Sequence, residues 1–216
     1  VKVLAFDPAT ILVGVACLES VNGTIRLLDC GKVDLGDQNP LGFRLVQMRQ
    51  IALDLIKKHN PDIIAIEYVR FNRGSVANFD SLSKVLLMTG VLYEAAAGHR
   101  LPLALLSASQ VRGLIGNKEK ASGKKKKVTK SIVETRFKSD ILAIRGALFK
   151  ASDLDITDAI ALGWVSFSTM EKDLIKYGVI KCPACGSQSV HEIRREATST
   201  YKCDTCGKEF DETTPR

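Results

Sequence analysis

The sequence contains no apolar run approaching ~18 residues, which excludes a membrane-spanning helix and a membrane partner. No charged-then-apolar leader precedes the first strand-like segment, so no secretory signal is expected and the chain is expected to act in the cytoplasm, that of a host cell if it is phage-encoded. Cysteine is scarce over most of the length. Of six, only Cys17 and Cys30 precede residue 181, each alone in an apolar stretch, which is the pattern of core residues and not of a disulfide framework.

What is present fits one domain of about 150–180 residues plus a small module: 216 residues, of which 45% are hydrophobic. A formal charge of +7 and a pI near 9.1 point to a polyanionic partner. The charge is unevenly spread. Residues 117–130 (NKEKASGKKKKVTK) carry seven lysines against one glutamate, whereas residues 181–216 carry six basic and six acidic side chains. The positive surface therefore belongs to the larger, N-terminal part.

The remaining four cysteines form two CxxC pairs, Cys182/Cys185 and Cys203/Cys206, each followed by a glycine that allows a tight turn. Four thiolates at this spacing predict a structural Zn²⁺ site in a zinc ribbon. The alternating, β-branched stretch between the pairs reads as a hairpin, and His191 within it as a surface strand residue. Residues 171–180 read as a helix end and linker. This gives a domain of residues 1–175 and a ribbon with its linker over 176–216.

In the larger domain, Val1–Asp7, Ile11–Leu18 and Thr24–Val33 predict a three-strand meander. Leu45–Lys58 has helical periodicity and stops at Pro61, Ile63–Glu67 is a wholly apolar strand, Val85–Ala97 a helix, Leu101–Leu106 a fifth strand, and Asp153–Met170 a last helix. The fold class is α/β, a mixed five-stranded sheet flanked by helices in the order βββαβαβα.

Two strands end in acids, Asp7 and Glu67, and ligands of α/β sheets gather at such ends. Asp155 and Asp158, in the last helix, are i, i+3 neighbours that repel at ~5–6 Å between Cβ atoms unless a cation lies between them. Each acid also has a structural reading: Asp7 opens an Asp-Pro turn, Glu67 pairs with Arg70 or Arg73, and the aspartates favour a helix N-terminus. Four carboxylates converging on a cleft favour a shared divalent metal, and oxygen donors select Mg²⁺ or Mn²⁺.

The motifs LAFDPAT, IAIEYV, SASQVR, the lysine-rich loop after it and DITDAIALGW, in that order, resemble the RuvC family of Holliday-junction resolvases over about residues 1–170. The resemblance implies an RNase H-like fold, a homodimer, and a structure-selective DNA endonuclease that resolves four-way junctions, and other branched DNA, by paired nicks. It implies Asp7, Glu67, Asp155 and Asp158 as catalytic, metal-holding acids in two-metal hydrolysis, with Asp7 bridging, Glu67 on one side and the two aspartates on the other. Arg112 stands where the family usually has a lysine, and one of Lys124–Lys127, foremost Lys126, stands near a second basic residue that handles phosphate. With these, Lys118, Lys120, Lys124, Lys125, Lys127 and Lys130 are candidate DNA contacts that grip phosphate without reading bases.

Two features depart from the family. Its junction-wedging aromatic is Arg70 here, with Phe71 one place on, so Arg70, Phe71 and Arg73 form a second group of candidate contacts. The C-terminal ribbon is an addition, which suits a phage or mobile-element version and a docking role toward a protein partner. Competing readings are a RuvC-like nuclease of ribosomal RNA precursors, against which the lysines and ribbon lean, and a non-cleaving junction-binding protein, against which all four acids argue. Transposon-encoded relatives carry a ribbon ahead of the last acid, whereas here it follows Asp158.

Overall fold

The structure is a computed structural model that describes residues 1–68, 79–177, 184–185, 190–195, 199–203 and 205–211. The chain divides into two compact units, Val1–Met170 and Glu171–Arg216. Among the described residues no helix is long and apolar enough to cross a membrane.

The first unit is built on a mixed sheet in the order β3-β2-β1-β4-β5. Strands β1 (Lys2–Asp7), β2 (Leu12–Val21) and β3 (Thr24–Asp34) form the antiparallel meander, and β4 (Ile63–Glu67) and β5 (Leu103–Leu106) add parallel to β1. The fifth strand starts later than its sequence pattern suggests. Pro102 has no N–H for a ladder, and the Leu101 amide instead donates to Ala96 O in the preceding helix end.

Side chains alternate across the strands and divide the core in two. Leu4, Phe6, Ile64 and Ile66 pack against helices α1 (Leu41–His59) and α2 (Phe79–Gly98). Val3, Ala5, Ala16, Ile63 and Ala65 face α4 (Ser122–Arg145) and α5 (Leu154–Tyr177). The residues on this second face are small for a reason: α5 lies so close that a Cβ added at Gly163 would collide with Leu18 and touch Ala5.

Both α1 and α2 begin earlier than their apolar periodicity predicts. At α1, Pro40 takes the cap position with φ −56°, and its carbonyl accepts from Arg44 N, so the helix starts directly after it. Asn60 ends α1 in the left-handed region at φ 44°, its amide bonding Ile56 O, and this stop precedes Pro61.

Two helices lie where the sequence reading has only a loop. Helix α3 (Ala108–Leu114) is started by a capping box between Ser107 and Gln110. The lysine run 124–127 is helical, inside α4, because lysine is a good helix former and Val133, Phe137 and Ile141 bury one face of the segment. The element order is therefore βββαβαβααα in this unit, and α5 begins at Leu154 rather than Asp153.

Helix α4 is not straight. Phe137 has φ −116° and ψ 24°, which folds it into two arms. Lys126 on the first arm reaches Asp155, and Arg145 at the end of the second reaches Asp153. Nineteen residues of straight helix would set them ~28 Å apart. The first arm thus runs alongside α5 and the second returns.

In the second unit, β6 (Val190–Arg195), β7 (Ser199–Cys203) and β8 (Glu209–Asp211) form a three-stranded antiparallel sheet.

Candidate active site

Asp7 and Glu67 are the last residues of the parallel neighbours β1 and β4, whose register pairs Phe6 with Ile66. By alternation both belong to the face that carries α5. Opposite Asp7 on β2 stands Gly14, where an added Cβ would collide with the main-chain carbonyl of Asp155. The bare glycine lets the first turn of α5 rest directly on the sheet beside Asp7. Arg44 Nη1 holds the turn after Asp7 by donating to Thr10 O at 2.6 Å.

The outcome is a cluster in which carboxylate oxygens of Asp7, Asp155 and Asp158 all lie within 4.8 Å of one another. Glu67 is outside that triad but near enough for its charge to act on Asp7 and Asp158. Lys126 sits between the two helix aspartates, its Nζ 2.9 Å from Asp155 Oδ1 and 3.0 Å from Asp158 Oδ2. A cation does relieve the i, i+3 repulsion, and here it is an ammonium from α4.

The electrostatics follow. Burial, then Glu67, Asp158 and Asp155, push the Asp7 carboxyl well above the ordinary aspartate range, against Lys126. Burial and Asp158 push Glu67 up to about 7, opposed by Lys126 and Arg112. Burial also raises Asp158 despite its bond to Lys126. Burial disfavours the Lys126 ammonium, yet Asp158 and Asp155 keep its pKa above the usual lysine range. A site this acidic under-compensates its own charge, and hard oxygen donors from three aspartates suit a divalent Mg²⁺ or Mn²⁺.

Asp153, the carboxylate immediately before α5, does not join them. It is buried with 6% side-chain exposure, salt-bridged to Lys32 (3.1 Å) and Arg145 (3.0 Å), and accepts from Lys150 N at 3.0 Å. It ties β3 and the returning arm of α4 to the start of α5. Asn117 does similar work before α4: buried, it donates to Lys125 O and Thr129 Oγ1 and accepts from Glu119 N. Sequence reasoning passed over Asn117, Lys32, Arg145 and Gly14; only Gly14 left a signal, as a glycine inside a strand that marks close backbone approach.

The other candidate contacts are dispersed. Lys118, Lys120, Lys124 and Lys127 are exposed, Lys125 is half-buried, and Lys130 pairs with Glu134 at 2.8 Å. Arg112, on α3, is half-buried and its charge reaches Glu67 and Asp158. Arg70, Phe71 and Arg73 lie outside the described residues, as does Cys182.

In the second unit, Cys185, Cys203 and Cys206 bring their sulfurs within 4.8 Å of one another, with Cys185 Sγ 3.7 Å from Cys203 Sγ. The turn that does this closes through Gly207 at φ 73°, whose amide bonds Cys203 O. Burial raises the Cys203 thiol, but the backbone donors of Cys206 and Thr205 and the neighbouring sulfurs outweigh it and bring it to about 6.

Residues 3–165 match the family model described as crossover junction endodeoxyribonuclease RuvC. The chain belongs to the RuvC family. Among curated RuvC proteins it is 28% identical to that of Syntrophomonas wolfei over 51% of this chain and 62% of the relative. To the RuvC of Corynebacterium efficiens it is 29% identical over 74% and 66%. It thus spans just under two thirds of the length of each. Thermus thermophilus RuvC, solved in complex with Holliday junction substrate, superposes with a TM-score of 0.61 at 18% identity, covering 80% of this chain and 96% of that one. The yeast mitochondrial Holliday junction resolvase superposes at 0.52 with 16% identity and 82% of each chain. Both share the RuvC fold, the mixed five-stranded sheet with helices on its two faces.

Proposed function

We propose that the chain is a structure-selective DNA endonuclease that resolves four-way junctions by paired, divalent-metal-dependent nicks. The observation that carries this is the triad of Asp7, Asp155 and Asp158, with Lys126 wedged into it, at the strand end where the RuvC fold opens. The names of the curated relatives and the junction bound by the Thermus protein support the substrate.

The three aspartates, with Glu67 beside them, would hold Mg²⁺ or Mn²⁺. The bound metal supplies Lewis-acid activation of water and neutralises charge on the leaving 3′ oxygen, giving 5′-phosphate and 3′-hydroxyl ends. The protein's own contribution is positional. Gly14 and the Asp153 clamp fix the first turn of α5 on the sheet beside Asp7, the raised proton affinities of Asp7 and Glu67 keep the site receptive to cations, and Lys126, once released from its carboxylates, would be free to hold phosphate. Lys118, Lys120, Lys124, Lys125, Lys127 and Arg112 grip backbone phosphate.

A homodimer fits this reading, since exposed Phe43 and Val46 on α1 and Leu87 on α2 leave apolar surface for a second copy to cover. The C-terminal part, residues 176–216, is read as a structural zinc ribbon with its linker, supported by three clustered thiols and a lowered Cys203 pKa. Its near-balanced charge suits a protein partner better than bulk DNA, and its thiolates suit a reducing, intracellular compartment. The test is incubation with a synthetic four-way junction, a linear duplex and a structured RNA, with and without Mg²⁺ or Mn²⁺. Symmetric nicks in the junction alone are expected; cleavage of RNA alone, or of nothing, would overturn the reading.

A further inference from the structure

At the fold of α4, Arg136 lays its guanidinium over Phe137 (5.1 Å to the ring centre) and Trp164 of α5 (6.0 Å), and those two rings meet edge to face at 5.7 Å. Beside them is an open groove of about 570 Å³ lined by Ser131, Ile132, Thr135, Arg136 and Trp164. Arg136 is exposed and, among the described residues, in no ion pair, so its planar fork of donors is available. Thr135 donates its hydroxyl to Ser131 O, and Ser131 itself lines the groove and can supply a neutral donor.

The groove continues an existing track. Lys124, Lys127, Ser131 and Thr135 follow at spacings of three and four and so share one stripe of α4. Along α5, Trp164 is six residues past Asp158, ~9 Å, and on α4 Arg136 is ten past Lys126, ~15 Å. At 3.4 Å per nucleotide along a strand, that is about three to four steps of duplex. A cation stacked on a half-exposed indole, beside a hydroxyl and at the end of a lysine stripe, is complementary to a sugar–phosphate backbone.

We propose that this groove is a second DNA contact, in which Arg136, Ser131 and Trp164 grip the backbone of one junction arm about three to four base pairs from the scissile phosphate. The contact rests on the reading of the chain as a DNA-acting enzyme, and it adds affinity and arm orientation without touching the reacting atoms.

Trp164 is the sole tryptophan of the chain, so its emission reports on the groove alone. The full chain is titrated in EDTA with a four-way junction, binding is followed by anisotropy, and acrylamide quenching of Trp164 is measured free and bound. Bound DNA is expected to lower the quenching constant at least about twofold. Arg136→Gln is expected to weaken binding three- to tenfold and reduce the log–log salt slope by about 0.9. Arg136→Lys, which keeps the charge, is expected to restore the slope. A bound junction that leaves Trp164 as accessible as before, with an unchanged slope for Arg136→Gln, removes the contact alone. Absence of binding to any DNA removes it together with the reading on which it rests.

Discussion

Gly14 and the carbonyl of Asp155 share a space that has no room for one more carbon: a Cβ on residue 14 would stand inside the main chain of the first turn of α5. Since Asp7 pairs directly with Gly14, the distance between the strand acid and the helix acids is set by this missing side chain. Gly14→Ala is therefore expected to push α5 outward and slow single-turnover junction cleavage on the order of 100-fold, as misplacements near 1 Å do. Junction affinity should stay within about threefold of wild type. Near-normal cleavage by a folded variant would show that the acids tolerate the shift.

Lys126 occupies oxygens of Asp155 and Asp158 for which a divalent cation at the proposed site would compete. Lys126→Met is expected to tighten Mn²⁺ binding in the absence of DNA, read by calorimetry, while reducing cleavage. Asp7→Asn is expected to abolish cleavage and leave junction binding intact or stronger, because negative charge is removed. Weaker metal binding in Lys126→Met would mean that the ammonium assists the site instead of occupying it.

The raised carboxyls predict a pH dependence of stability. A group with a higher pKa folded than unfolded binds its proton more tightly when folded, so stability is fullest below about 4.5 and is lost as pH rises through the folded value, about 7 for Glu67. The loss is at most about 3.5 kcal/mol for that residue, with Asp7 acting in the same direction. Thermal melts in EDTA should fall between pH 5 and 8, and saturating Mg²⁺ should flatten the trend. Cleavage should rise over the same interval.

The buried Asp153 holds two cationic partners, and Asp153→Asn is expected to cost about 2–3 kcal/mol in urea unfolding. A loss below about 0.5 kcal/mol would place the hold on α5 elsewhere.

For the second unit, a zinc chelator or Cys203→Ser is expected to release one Zn²⁺ per chain and unfold the ribbon, while a truncation after residue 175 still cuts junctions. A truncated protein that folds and binds metal but cuts no junction would make the ribbon part of the active assembly.

The sheet and the two strand-end acids were legible because short apolar strands ending in carboxylates carry a strong local signal, and Asp155 and Asp158 because they stand i, i+3 at the start of an apolar helix. Helix α4 was not, because its amphipathic period is broken at Phe137 and its first turns are almost all lysine, so neither arm shows a full apolar stripe. Lysine-rich text reads as loop when its helicity comes from packing Val133, Phe137 and Ile141 against partners far along the chain. Lys126 was put foremost by the resemblance alone, since four consecutive lysines differ only in the direction each takes around the helix. Asp153 and Asp155 look alike in sequence, yet a separation of two positions across the start of α5 sends the first to Lys32 and Arg145 and the second to Lys126 and the acid cluster.

The unequal side chains on the two faces of the sheet give the protein two kinds of mutational fragility. On the α5 face, where Ala5, Ala65 and Gly163 sit in contact, enlargement is the danger: an added methyl has nowhere to go and costs about 1–3 kcal/mol. On the α1–α2 face, where Phe6, Ile64, Ile66, Met48 and Met88 are fully enclosed, shrinkage is the danger, and each truncation to alanine leaves a void worth about 2–5 kcal/mol. Drift under selection for folding alone would leave opposite scars, a ban on growth beside α5 and a ban on loss behind the sheet. Only the first of these bans also guards the chemistry, because the layer that cannot grow is the one that sets the spacing of the acids.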